Sequence, residues 1–218
     1  MKNEDLSKNN VAVLVGEVLE NFKFDHETKG ESFFRTMVRS YRMSDKYDDI
    51  VVIVSDKLVD VDTDPTGAYV KVDGQFRSYN KHSEGKSKVC LFLFAKEINQ
   101  LDALAEEDVH NRTELIGTIC KKPSLRKTPL GTQICDLLIA VNRPYGCSDY
   151  IPSIAWNKTA VDMSHLDIGD KIRTEGRLQS REYNKTLENK TVETRVAYEY
   201  SIREYEFLEM AESDEKGA

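Results

Sequence analysis

A chain of 218 residues, 39% apolar and 32% charged, has room for one or two domains that each bury a core, and its composition is neither disordered nor membranous. No apolar run approaches the roughly 20 residues of a membrane-spanning helix, and the polar opening MKNEDLSKNN argues against export. The net charge of −7 divides into −6 over residues 1–108, +2 over 109–208 and −3 over 209–218, so the middle segment is the one disposed to meet phosphates.

Taken in order, residues 11–18 (VAVLVGEV) read as a strand whose internal glycine marks a bend of the kind barrel corners need. Residues 22–31 (FKFDHETKGE) read as a charged loop turning at Gly30. Strands are expected at 32–41, 50–55, 68–79 and 89–95. Five short strands without a long amphipathic helix predict a small closed barrel over residues 9–98. Residues 99–110 (from NQLDALAEED) read as a linker with a short helical turn. The pattern then restarts over residues 111–208, with strands at 113–119, 132–142, 150–156, 171–183 and 191–207. A helix over 158–169, ending at a glycine cap, is expected between its third and fourth strands. That order, three strands, a helix and two strands, is the OB-fold order. Residues 209–218 read as an acidic, mobile tail.

The restart is a repeat. Val15-Gly16-Glu17-Val18 matches Ile116-Gly117-Thr118-Ile119 at an offset of 101, which also places Gly30 on Gly131 and Arg42 on Arg143. Gly74-Gln75-Phe76 falls on Gly176-Arg177-Leu178, and Tyr79-Asn80-Lys81 matches Tyr183-Asn184-Lys185 after a two-residue insertion. The expected fold is therefore all-β: two tandem five-stranded OB-fold Greek-key barrels, the first degenerate.

In the second repeat, LIGTICKKPSLRKTPLGTQICDLLIAVNR, YIPSIAWNKTA and GDKIRTEGRLQSREY stand in an order and spacing that resembles the bacterial single-stranded-DNA-binding family. The first repeat resembles that family only weakly. The resemblance implies OB-fold barrels assembled until four surround the strand, so a two-barrel chain is expected to form a homodimer. It also implies base stacking at Tyr145, Tyr150, Trp156 and Tyr183. Aromatic stacking tolerates sequence, because every base has a π-face. Against this, strand aromatics are often core residues, as Phe207 is expected to be.

The accompanying cations are Lys121, Lys122, Arg126, Lys127, Arg143, Lys158, Arg173, Arg177, Arg181 and Lys185, which would release counterions on binding a nucleic-acid backbone. In the first repeat the positions equivalent to Tyr145, Tyr150 and Trp156 are read as Ser44, Ile50 and either Ser55 or Asp56. Only Tyr79 keeps its ring, with Tyr41, Arg42, Tyr47 and Phe76 as residual contacts. Acid at Asp45, Asp48, Asp49, Asp60, Asp62 and Asp64 opposes phosphate, so this barrel is expected to add little affinity and to support assembly.

Other chemistry is not supported. Asp60 to Asp64 begins like a calcium loop, but proline replaces its glycine and Lys71 its final glutamate. Gly85-Lys86-Ser87 lacks the first glycine of a phosphate-binding loop. The four cysteines have no Cys-x-x-Cys spacing and read as reduced and mostly buried. No metal, cofactor or enzymatic activity is expected. The expected function is sequence-tolerant binding of single-stranded DNA in replication, repair or recombination, in the cytoplasm and associated with the nucleoid. The alternative is an OB-fold interaction or assembly module, primosome-like or RNA-binding, with weak DNA affinity. The resembled family ends in an acidic segment with a hydrophobic tip that recruits partner proteins. Residues 209–215 supply acid, but Lys216-Gly217-Ala218 supply no such tip, so replication or repair proteins are partners without an evident docking end.

Overall fold

A computed structural model describes residues 8–44, 46–83, 86–105, 110–186 and 190–208. The first half contributes β1 (Asn10–Val18), β2 (Lys23–Thr28), β3 (Glu31–Tyr41), β4 (Tyr47–Ser55), β5 (Tyr69–Ser83) and β6 (Lys86–Leu101). The second contributes β7 (Asn111–Ile119), β8 (Ser124–Lys127), β9 (Gln133–Asn142), β10 (Ser148–Trp156), α1 (Asn157–Met163), β11 (Lys171–Thr186) and β12 (Val192–Leu208). All are hydrogen-bonded in the order β2-β3-β4-β6-β5-β1-β7-β11-β12-β10-β9-β8, and the pairs β1–β3 and β7–β9 close each half into a barrel.

Alternation builds both cores. Along β7, Thr113, Leu115, Gly117 and Ile119 point inward while the residues between them are only partly covered, the period-two pattern of a strand with one buried face. Leu14, Val38, Val52, Val72 and Leu93 fill one barrel, and Leu115, Ile139, Ile151, Ile172 and Leu178 the other, each at most 1% exposed. Tyr200 is fully buried with its hydroxyl donating to the Thr113 carbonyl at 2.9 Å. Phe207, expected in the core, is 49% exposed instead, because it stands near the open end of β12. Where β1 crosses onto β3, a Cβ at Gly16 would lie 2.0 Å from the Arg39 carbonyl oxygen; at Gly117 it would meet Ile139 and Ala140. The internal glycines thus permit the backbone approach that closes each barrel.

Several sequence expectations are corrected. The loop at 22–31 and part of the basic loop after β7 are strands, β2 and β8, exposed along their whole length; neither has an apolar face for hydrophobic patterning to detect. Asn99, Gln100 and Leu101 continue β6 rather than starting a helical turn, because they pair with Tyr69–Lys71 of β5. The helix ends at Met163, capped by Ser164, and Gly169 serves the following turn at φ 101°. Cys135 is buried, Cys90 and Cys120 are partly covered and Cys147 is exposed. The acidic tail, Asp45 and Gly85 lie outside the described residues.

The halves are related by a pseudo-dyad. β1 and β7 pair antiparallel, Asn10 opposite Leu115 and Leu14 opposite Asn111. Each asparagine side chain also bonds both backbone groups of one core residue, Asn10 those of Phe76 and Asn111 those of Leu178. A matching clasp flanks the dyad on either side. The Asp48 carboxylate accepts the Ser180 N–H at 3.0 Å while the Asp49 N–H donates to Ser180 Oγ at 2.9 Å. Likewise Asp149 accepts the Ser78 N–H at 2.7 Å, and the Tyr150 N–H donates to Ser78 Oγ at 2.9 Å. These contacts fix the equivalences: Tyr150 corresponds to Asp49, not Ile50, and Trp156 to Ser55. With single bulges at Asp73/Gly74 and Glu175/Gly176, Tyr79 matches Arg181. Tyr183 lies one pleat further out on the same face.

Candidate nucleic-acid interface

On β10 the inward residues are Asp149, Ile151, Ser153 and Ala155, which leaves Tyr150, Pro152, Ile154 and Trp156 on the outer face. Strand register assembles the site from there. Arg126, Ile134 and Trp156 form one line across β8, β9 and β10. A second line crosses from Ile154 to Ser201 to Arg177 over β10, β12 and β11. Further along β11, Gln179, Arg181 and Tyr183 follow on the same side.

Trp156 is half-buried and its indole N–H donates to Ser201 Oγ at 3.2 Å, which lays the ring toward Arg177. Clefts of about 470 and 540 Å³ flank it. The first is lined by Arg112, Thr159, Arg177 and Arg203, the second by Arg177, Gln179 and Arg181 together with Arg42, Lys46 and Tyr47 of the first barrel. Arg177 is the central cation. Burial, then the nearby Arg42 charge, push its guanidinium below the usual value while Asp48 opposes them, and its buried Nε has no acceptor. Its side chain lines both clefts, where a phosphate would supply a further counter-charge.

The remaining predicted residues divide. Tyr150 and Tyr183 are 48% and 38% exposed. Tyr145 is fully exposed in the turn Pro144–Gly146, held at φ 66°, a left-handed conformation that is uncommon for a tyrosine. Arg143 reaches the fully buried Asp149 at 3.2 Å. Arg181 lies 3.6 Å from Glu199, and Arg126 grips Asp136 with two bonds. Lys185 is exposed on the hairpin arm beyond Tyr183, Lys127 ends the exposed β8, Lys121 is exposed after β7 and Lys158 is exposed within α1. Two residues are not brought to the aromatics. Lys122 is held by Asp167 near the start of β11, and Arg173 pairs with Glu206 beside Glu114, Glu175 and Glu204.

In the first barrel, Tyr79 is 48% exposed, but Phe76 is a core residue at 2%. Arg42 makes a bidentate pair with the buried Asp48. Tyr47 is 49% exposed on one side of the Arg39 guanidinium, which sits 3.8 Å from its ring centroid. Sequence reasoning missed Arg112, Arg203 and Lys46 as cleft residues, since none lies in a family-like motif.

The Single-strand binding protein family model matches residues 110–208. Over 115 residues the chain is 32% identical to a single-stranded DNA-binding protein of Clostridium tetani, covering 50% of this chain and 77% of the relative. It is 31% identical to one of Halalkalibacterium halodurans, covering 49% and 66%. Across the first of its curated relatives the chain spans about half to two thirds of their length. In fold, it resembles the wild-type single-stranded DNA binding protein from Thermus aquaticus, with TM-score 0.70 and 21% identity over 95% of this chain and 97% of the other. That likeness takes in both barrels, whereas the sequence matches lie on about half of the chain. The identity and coverage shared with the Clostridium protein place this chain in the single-strand binding protein family.

Proposed function

We propose that this chain binds single-stranded DNA without strict sequence preference and serves DNA replication, repair or recombination in the cytoplasm. The observation that carries the reading is the outer face of the second barrel, where Trp156 and Tyr150 share one sheet surface with Arg177 and Arg181. Bases stack on the rings; the Arg177 guanidinium, half-buried and lacking an acceptor at Nε, takes a phosphate. Residues 9–98 and 111–208 act as the two barrel units. A homodimer would bring four barrels around a strand, and sedimentation at micromolar concentration tests it: a monomeric mass rejects that assembly.

Trp156 is the only tryptophan, so oligo(dT) titrated against intrinsic fluorescence at low and high salt reads the site directly. Quenching that weakens with salt is expected. An unquenched signal rejects DNA binding at this face and favours the interaction-module reading, which the net charge of −7 supports. Preference for oligo(U) in competition would instead mark an RNA-binding protein.

A further inference from the structure

By strand-for-strand comparison the first barrel looks bare: β4 carries Asp49 and Ser55 where β10 carries Tyr150 and Trp156. The structure shows that its aromatic residues stand one strand over. On β6, Phe92 and Phe94 project from the outer face between the inward Leu91, Leu93 and Ala95. They meet β5 at Arg77 and Gln75 respectively. Tyr79 packs edge-on against Phe92 with ring centroids 5.8 Å apart, and the Arg77 guanidinium sits 4.1 Å from the Phe94 centroid.

The cation is conserved by exchange. Gln75 and Arg77 occupy the places of Arg177 and Gln179, and in each barrel the arginine donates to its glutamine, at 2.7 and 3.5 Å. Arg77, like Arg177, has a buried Nε without an acceptor. Two of the acids that argued against this barrel are consumed internally, Asp48 by Arg42 and Asp49 by Arg39. The clasp at Ser78 joins Tyr150 directly to the residue preceding Tyr79, so this face continues from the second barrel's.

We propose that Arg77, Tyr79, Phe92 and Phe94 form a second surface for single-stranded DNA on the first barrel, stacking bases on Tyr79 and the Arg77–Phe94 pair. It rests on the DNA-binding reading above. A strand long enough to leave the second barrel then engages both surfaces, whereas a short one bound at Trp156 engages one; OB barrels occupy roughly 4–16 nucleotides each.

The test compares full-length protein with the double variant Arg77→Gln/Phe92→Leu, which keeps apolar bulk while removing one ring and one charge. Both are titrated with dT8 and dT35 through Trp156 fluorescence, and the occluded length per protein is measured on poly(dT). The expected result is a loss of about tenfold or more in dT35 affinity and a shorter occluded length, with dT8 titrating as in the parent. Parental dT35 affinity and occluded length in the variant, or equal losses on both strands, overturn the proposal. A parent that quenches with neither strand overturns the DNA-binding reading itself, and this surface with it. Should the double variant misfold by circular dichroism, Arg77→Gln alone decides by the same comparison.

Discussion

At the scale of single residues, the second barrel's site depends on which atoms are left without partners. Trp156 spends its one donor on Ser201 Oγ and keeps its ring half-exposed. Trp156→Leu, which fills the same space without a π-face, is expected to weaken binding of a dye-labelled oligo(dT) by roughly tenfold, read by anisotropy. Arg177→Gln should cost as much, because it removes the cation that lines both clefts beside Trp156. The cysteines provide a second readout. Burial pushes the Cys135 thiol up to about 11, and its side chain is inaccessible, whereas Cys147 is exposed in the turn after Tyr145. Brief maleimide treatment at pH 7.5 should therefore label Cys147 and spare Cys135, with DNA slowing the reaction at Cys147. Peptide mass mapping checks both.

At the scale of elements, the two clasps join β4 to β11 and β10 to β5, each tying one barrel to the other. Burial raises the Asp149 carboxyl above its usual value, while the Ser78 N–H, then Arg143 and Arg77, oppose that rise. A raised carboxyl binds its proton more tightly folded than unfolded, so its contribution to stability is complete below the ordinary pKa and is lost as pH climbs through the folded value. Replacing Arg143 removes a cation that limits this loss. Arg143→Gln should cost about 2 kcal/mol at pH 7, a buried-pair penalty discounted because Arg143 is 34% exposed. It should cost less at pH 4, because a raised carboxyl takes up its proton earlier on acidification and then needs its cation less. Urea midpoints at the two pH values test the sign. Gly16→Ala probes barrel closure: with backbone 2.0 Å from the new methyl, the strand must shift, at about 1–3 kcal/mol.

At the scale of the whole molecule, the β1–β7 ladder makes one chain a pseudo-dimer with a continuous sheet. Many of its surface cations are already paired with carboxylates, including Arg126, Arg143, Arg173 and Arg181, so the salt response should be shallower than ten predicted cations imply. With about four phosphates neutralised, raising salt from 50 to 200 mM should weaken binding roughly 50-fold. A much steeper slope would mean that the ion pairs open on binding.

The sequence by itself determined the repeat, the inward-facing barrel strands and the aromatic residues proposed for stacking in the second barrel, because alternation, internal glycines and aromatic strand ends are local signals. Edge strands β2 and β8 escaped it, being exposed throughout and without a buried face to imprint a pattern. The equivalence of Tyr79 escaped it too, since a hairpin lengthened at its tip shifts apparent matches that only ladder register can count. Above all, sequence could not weigh charge. Asp48 and Asp49 read as surface acid hostile to DNA, yet the fold buries one and pairs both with arginines from β3 and the turn after it. Nor could it see that Phe92 and Phe94 replace the missing rings from a neighbouring strand. Stacking surfaces are made across strands, and which strands are neighbours is decided by tertiary structure alone.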